Sequence, residues 1–116
     1  MLSTTSIEIV VSGGPTDADL ISILHRTYSK AMFRNVLWNF MGASLSAVRP
    51  SGFNDLASAG AQYAAKRGPE ARTAILVRSE AEVLLIRAYI GLTIQSHPRI
   101  IDVGSRRQEM LDWLGV

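Results

Sequence analysis

The sequence predicts a single α/β domain built on a four-stranded, mainly parallel sheet. Short runs rich in β-branched residues alternate with longer segments of helical period along the whole chain. The chain has 116 residues, of which 47% are apolar, so we assign residues 1–116 to one domain with its own core. Right-handed crossovers would place the four helices on both faces of the sheet. We expect the strand order 2-1-3-4, with the first helix on one face and the second and third on the other.

The first half of the chain contains two strands and one helix. Residues 7–11 read as a strand that ends in a Ser-Gly-Gly-Pro turn. Thr16 is a good N-cap, and apolar residues recur behind it at helical spacing. Residues 35–40 form a second strand that is apolar on both faces, as in a covered parallel sheet. Residues 41–50 are the longest segment without a period, and we expect a loop there.

The middle of the chain contains the second helix and the third strand. Ser51 is placed to cap this helix, whose small and aromatic residues form one narrow stripe. A Gly-Pro pair at residues 68–69 ends it. Residues 73–77 are a β-branched and apolar run, which predicts the third strand.

Two capping boxes mark the last two helices. Ser79 with Glu82 three residues later opens the third helix, and Ser105 with Gln108 opens the fourth. Between these helices, residues 99–103 predict the fourth strand.

The composition gives no support for catalysis, a metal site or a cofactor. The chain has no Cys, which excludes disulfides and thiolate chemistry, and its two His have no second ligand at suitable spacing. A nucleophile elbow and glycine-rich phosphate loops are also missing from the sequence. We therefore expect a protein that is not an enzyme, with no catalytic residue.

Charge and hydropathy limit the partners and the location. The net charge is +2, and Arg106-Arg107 is the only adjacent basic pair. Arg67, Arg72 and Arg78 are scattered around the third strand, and we interpret them as solvated surface residues, with no nucleic-acid partner. The sequence has no signal peptide and no apolar run of transmembrane length, so we expect a soluble, cytoplasmic protein.

The third helix has more apolar surface than a helix packed on a sheet needs. Arg87 is its only charged residue after Glu82, and apolar side chains point in nearly every direction. A subunit interface or an apolar ligand would cover the surplus; the alternative is a helix buried within the monomer. Arg87 would bind an anionic head group or pair with a nearby carboxylate. The residues assigned to this surface are Leu84, Arg87, Ala88, Tyr89, Ile90 and Ile94.

Three blocks of sequence resemble the bacterial SpoIIAA-like proteins of the STAS superfamily. Leu-Trp-Asn at 37–39, followed by Gly-Ala-Ser-Leu-Ser at 42–46, is similar to a strand-and-loop block of that family. Ala-Ile-Leu-Val at 74–77 with the following helix resembles its third strand and helix, and Leu-Asp-Trp-Leu at 111–114 resembles its end. The resemblance is collinear over nearly the whole chain from Ile7. It implies a single STAS-like domain with a regulatory or ligand-binding role.

The resemblance also implies a phosphorylation or anion site at Ser51, Gly52 and Arg49. In related anti-sigma-factor antagonists, a partner kinase phosphorylates a Ser in an Asp-Ser-Ser-Gly-like turn at the start of the second helix. The Ser-Gly pair is present here, whereas the Asp is absent. A phosphate on Ser51 would lie at the positive end of a helix, where it could pair with Arg49. The alternative is that Ser51 is only an N-cap.

Two functional hypotheses follow. The first is a STAS-type binding module that acts through protein contact, as a homo-oligomer (dimer or tetramer) or with another protein, using the third helix and the loop at 41–51. The second is a carrier or sensor of a small apolar or lipid-like ligand, with possible membrane association; relatives of the family have been likened to CRAL-TRIO lipid-transfer domains. Its apolar cavity would lie between the sheet and the helices.

Overall fold

The fold is a four-stranded parallel sheet covered by helices on both faces, as expected. We describe a computed structural model, in which residues 5–68, 70–91 and 101–116 are placed. Three parallel pairings join neighbouring strands. In chain order the elements are β1 (Ser6–Gly13), α1 (Asp17–Lys30), β2 (Asn35–Ala43), α2 (Pro50–Gln62), the short α3 (Ala64–Arg67), β3 (Arg72–Leu76), α4 (Glu80–Tyr89), β4 (Ile101–Gly104) and α5 (Arg107–Leu114).

The predicted strand order is wrong. The observed order is β1-β2-β3-β4, so β1 lies at an edge and β2 inside the sheet. The burial of the strands fits these places: Val36, Leu37 and Trp38 of β2 are fully buried, whereas Val10 of β1 is 70% exposed. Local apolar pattern distinguishes a strand from a helix, but it does not state which strand is its neighbour.

The helices are also distributed differently from the prediction. Because each crossover moves one strand in the same direction, right-handed connections put all the intervening helices on one face. Accordingly α1, α2 and α4 share one core with Trp38, Phe40 and Ile75 of the sheet. The other face is covered by α5, where Met110 and Leu114 pack on Leu37, Ala74 and Leu76. We expected the first helix on one face of the sheet and the second and third, which are α2 and α4, on the other. This expectation is therefore wrong.

Two of the predicted helix caps, Thr16 and Ser79, are present in the structure. Thr16 and Asp19 form a complete capping box, with Asp19 N–H donating to Thr16 Oγ1 (3.3 Å) and Thr16 N–H donating to Asp19 Oδ2 (2.9 Å). Ser79 caps α4 by accepting from Glu82 N–H at 3.2 Å. The Glu82 carboxylate, however, accepts from Arg78 N–H at 3.1 Å, one residue before the cap.

The two other predicted caps are wrong. Helix α2 begins at Pro50, so Ser51 lies in its first turn and Arg49 stands at the cap position. Proline suits the first helical position because its fixed φ and missing N–H cost nothing there. Helix α5 has Arg106 at its N-cap, without a side-chain cap bond. Ser105 instead donates a hydrogen bond to the Glu80 carboxylate.

Helix α5 is held to the sheet by an ion pair as well as by its apolar core. Arg107 donates to Glu8 of β1, and Asn39 of β2 donates to the same carboxylate oxygen at 2.8 Å. The hydrogen bond from Arg107, followed by the one from Asn39, lowers the pKa of Glu8 against the opposing effect of burial. The pair therefore joins the edge strand to the helix on the second face.

A buried arginine fastens the amino ends of β2 and β3. Arg67 is 6% exposed, so its interpretation as a solvated surface residue is wrong. Its Nε donates to Phe33 O (2.7 Å), Nη1 donates to Thr73 Oγ1 (2.9 Å), and Nη2 donates to Arg34 O (2.9 Å) and Arg72 O (2.7 Å). The guanidinium also lies 5.3 Å from the centre of the Tyr28 ring. Burial lowers the pKa of Arg67.

Candidate functional site

A cleft of about 320 Å³ opens between the β2–α2 connection and α4. The cleft lies where β2 and β3 end. In β/α barrels, whose crossovers also all run in one direction, the loops after the carboxyl ends of the parallel strands form the active sites. Several lining residues come from the segment predicted as the long loop. The lining residues are Ser44, Leu45, Ser46, Val48, Phe53, Arg78, Glu82, Leu85, Ile86 and Tyr89.

One wall of the cleft carries two neighbouring hydroxyl groups. Ser44 N–H donates to Gly13 O at 2.7 Å, which anchors the start of the loop to the end of β1. The Ser44 and Ser46 hydroxyls lie 3.0 Å apart and share one hydrogen bond. Because each hydroxyl both donates and accepts, the pair keeps a proton that can be donated to a ligand oxygen.

The opposite wall carries a charged pair. Arg78 Nε lies 3.4 Å from Glu82 Oε1, and both residues stand at the start of α4. The Arg78 side chain is 51% exposed. Its Nη1 and Nη2 groups have no partner within residues 5–68, 70–91 and 101–116. These groups form a guanidinium edge suited to a carboxylate or phosphate.

The base of the cleft is apolar and aromatic. Phe53 of α2 stacks on Tyr89 of α4, with ring centres 5.8 Å apart and planes inclined at 27°. Phe53 is buried and Tyr89 half-buried, so the pair closes the floor of the cleft. Leu85 stands at the rim, 48% exposed. The cleft therefore combines a polar entrance with an apolar floor.

The surface predicted on the third helix, which is α4 in the structure, is only partly exposed. Leu84 is 70% exposed, and Ala88 beside it is also exposed. Ile90 is fully buried in the core beneath the helix, together with Val83 and Ile86, so its assignment to the surface is wrong. The physical reason is that the helix turns one whole face to the sheet. Ile94 lies outside the described residues.

Arg87 follows the alternative in which it pairs with a carboxylate. Its Nη2 donates to Asp102 Oδ1 at 3.2 Å and to Val103 O at 3.0 Å. These bonds join α4 to β4. Arg87 therefore holds the helix against the edge of the sheet.

The predicted anion site at Arg49, Ser51 and Gly52 lies around a carboxylate of the protein itself, that of Asp17. Asp17 accepts hydrogen bonds from Arg49 N–H (2.8 Å) and Arg49 Nε (2.6 Å). A Cβ placed on Gly52 would meet the Asp17 carboxyl carbon at 2.4 Å, which shows how closely that carboxylate approaches α2. The bond from the Arg49 side chain, then the one from its backbone, lowers the pKa of Asp17. Ser51 is exposed next to this group.

Within the described ranges, no three His, Asp or Glu side chains are grouped to hold a metal ion. His25 is exposed, and its Nδ1 is 2.7 Å from the Tyr63 hydroxyl. His97 lies outside the described residues. No helix among the described residues has the length and apolar content to cross a bilayer.

Comparisons with family models, with curated proteins and with solved structures give no match to this chain. The resemblance to SpoIIAA-like STAS proteins therefore stays a prediction from the sequence. The function has to be argued from the cleft itself.

The sequence does not single out two main residues of the cleft, Arg78 and Phe53. In the sequence Arg78 is one of several scattered arginines, and Phe53 belongs to a packing stripe. The available signal is their position: Arg78 directly follows a predicted strand, and Phe53 lies in the first turn of the helix after the longest loop. In a parallel sheet both positions belong to the same edge. Asp17 gave no such signal, because its partner is 32 residues away.

Proposed function

We propose that this protein is a non-enzymatic binding domain whose cleft takes a small amphipathic molecule with an anionic head. The observation that carries the proposal is the pairing of a guanidinium edge on Arg78 with an apolar floor at Phe53 and Tyr89 in one cleft. Ligand sites typically have this form, with a mostly apolar lining and a few polar groups that fix orientation.

The size and charge of the cleft favour a small ligand. Its volume of about 320 Å³ lies at the lower end of the range for ligand pockets. The Arg78 guanidinium can bind a carboxylate through two parallel hydrogen bonds, and the Ser44–Ser46 pair can add a third donor. Glu82 disfavours a second negative charge nearby, which favours a monoanionic carboxylate over a dianionic phosphate.

A titration with decanoate tests the proposal. Amide chemical shifts are recorded while decanoate is added, with decanol as the neutral analogue. We expect saturable shifts at Ser44, Ser46 and Tyr89 with the acid and weaker binding of the alcohol. Arg78→Met should weaken decanoate binding by about tenfold, the value of one charge-assisted interaction of about 1.4 kcal/mol.

The control for this titration is Arg106→Met. Arg106 is 77% exposed at the start of α5 and does not line the cleft. Its replacement should leave decanoate affinity unchanged. Shifts that do not saturate, or an equal loss of affinity in both variants, would show that the cleft is not an anion-directed binding site.

A second candidate is homo-oligomerisation through the outer face of α4, the STAS-type role in protein contact. It is favoured by Leu84 at 70% exposure and Leu85 at 48%, two adjacent large apolar side chains on one helix. Because Ile90 is turned into the core, this face is smaller than the sequence suggested. Light scattering of the wild type, of Leu84→Glu and of the control Ser58→Glu tests it. A monomeric wild type, or an oligomer that Leu84→Glu leaves intact, would exclude this surface.

A further inference from the structure

The sheet has a long edge at β1 that lacks the usual protection. Among the described residues β1 pairs only with β2, so its other side faces outward. Edge strands are usually kept from pairing with another strand by lysine, proline, a bulge or short length. The eight residues of β1 include neither Lys nor Pro. Where its pairing with β2 becomes irregular, between Val10 and Ser12, the extra residue belongs to β2, so β1 itself stays regular.

The side chains of β1 also favour a second strand. Glu8 is the only charged residue of the strand, and Arg107 and Asn39 already bond its carboxylate. Val10 lies on the same face as Glu8 and is 70% exposed. A β-branched side chain at such a position gains cross-strand contacts when another strand pairs beside it.

The direction of the backbone shows which groups are available at this edge. Asn35 N–H donates to Thr5 O at 3.1 Å and Ser44 N–H donates to Gly13 O at 2.7 Å, so both carbonyls point to the β2 side. The backbone groups of successive residues in a strand point to opposite sides. The residues of β1 whose N–H and C=O point outward are therefore Ser6, Glu8, Val10 and Ser12.

Helix α1 borders this edge and carries charges of both signs. Two open clefts, of about 440 and 220 Å³, lie between β1 and α1 and share Ile23 and Arg26. Asp19 lines the larger cleft with Arg26, and both residues are exposed. Within residues 5–68, 70–91 and 101–116, Arg26 has no carboxylate partner. The outer face of α1 is therefore negative near its start and positive near its end.

We propose that two copies of this chain form a dimer in which β1 pairs antiparallel with β1 of the partner subunit. The two four-stranded sheets then become one continuous sheet. A two-fold axis at Ile9 sets Glu8 opposite Val10 of the partner subunit, whereas an axis at Glu8 would bring two carboxylates together. The two α1 helices run antiparallel on one face, so Asp19 faces Arg26 of the partner subunit, and the symmetry repeats this pair.

The strand and the helix place the axis at the same level. The midpoint between Asp19 and Arg26 lies next to Ile23. Ile23 lines one cleft with Ile7 and the other with Val10, so it is level with the middle of β1. A two-fold interface needs a surface that is complementary to itself, and here the edge strand and the charges of α1 both meet that condition. A second copy supplies the carboxylate that Arg26 lacks.

A proline on the edge tests the strand pairing. Val10 N–H points outward, so Val10→Pro removes a donor from the proposed interface and none from the pairing with β2. Light scattering at high micromolar concentration should give a dimer for the wild type and a monomer for Val10→Pro. The matched control Val10→Thr keeps the N–H and the β-branched shape, and it should remain a dimer. Circular dichroism shows whether the proline variant is folded.

A charge exchange tests the pairing of the helices and does not depend on the proline variant. Arg26→Asp sets like charges opposite each other twice and should raise the dimer dissociation constant about tenfold. Asp19→Arg should weaken the dimer in the same way. The chain that carries both substitutions should regain the affinity of the wild type, because the opposite charges meet again. Arg106→Asp makes the same change in net charge at the start of α5 and should leave the dimer unchanged.

Each remaining outcome would overturn the proposal. A monomeric wild type would do so and would leave the edge of β1 for a strand of another protein. A dimer that persists in a folded Val10→Pro, or one that Leu84→Glu dissociates, would place the interface elsewhere. Failure of the double substitution to restore affinity would exclude the two-fold arrangement about Ile9.

Discussion

Arg67 offers the sharpest test of how this fold is held together. Replacing it with Met keeps an unbranched chain in the buried site but removes four hydrogen bonds from the guanidinium. Arg34 O keeps a second donor, the Arg72 N–H at 2.9 Å. Phe33 O, Arg72 O and Thr73 Oγ1 each lose a charged donor. At about 1 kcal/mol for each of these three, Arg67→Met should lower the free energy of unfolding by about 3 kcal/mol.

The assay is urea denaturation followed by the fluorescence of the two tryptophans. A loss of about 3 kcal/mol leaves a domain of ordinary stability folded but moves its midpoint to clearly lower urea. Arg67→Lys should lose about 2 kcal/mol, because one ammonium cannot reach the partners of Nε and both Nη groups. Arg26→Met, at an exposed site on α1, is the control and should stay within about 0.5 kcal/mol. An Arg67→Met midpoint equal to that of the control would refute the reasoning.

Two further predictions concern the ion pairs. The Cβ added by Gly52→Ala would approach the Asp17 carboxyl carbon to 2.4 Å and should lower the free energy of unfolding by about 1–3 kcal/mol, measured by thermal melts. Gly42→Ala has open space around it and should leave the stability unchanged, so equal melting temperatures for the two variants would refute the close approach. Because the folded-state pKa of Glu8 is lowered, the stability from its pair with Arg107 is fully present above the ordinary glutamate pKa and is lost as the pH falls through the lowered one. Glu8→Gln should therefore cost about 0.5 kcal/mol at neutral pH and nothing in strong acid, measured by urea denaturation at both; a cost independent of pH would contradict this.

Elements with a strong local signal were predicted well. The apolar segment that became β2 and the capped start of α1 at Thr16 are both found in the structure. Side-chain periodicity and capping are local, because they act within one strand or one helical turn. Ser51 failed as a cap because Pro50 is a better first helical residue, and that competition between neighbours is hard to weigh from pattern alone.

The candidate site was much less predictable than the elements. The sequence indicated the loop and the helix that form its walls, but it gave no reason for Arg78 and Ser44 to line one cleft. It also treated Ile90 as surface, although a helix apolar on most sides does not reveal which side meets the sheet. Asp17 and Arg49 meet across 32 positions of sequence, a contact that only the packing of α1 beside α2 creates.

The sequence by itself determined an α/β domain with four strands, the approximate starts of its helices and the apolar character of α4. The order β1-β2-β3-β4, the gathering of α1, α2 and α4 on one face and the cleft at their common edge were decided by the tertiary structure. The physical reason is the distance along the chain over which each kind of interaction acts. Periodicity and caps express contacts within a few residues, whereas strand order and clefts depend on which distant surfaces bury the most apolar area together.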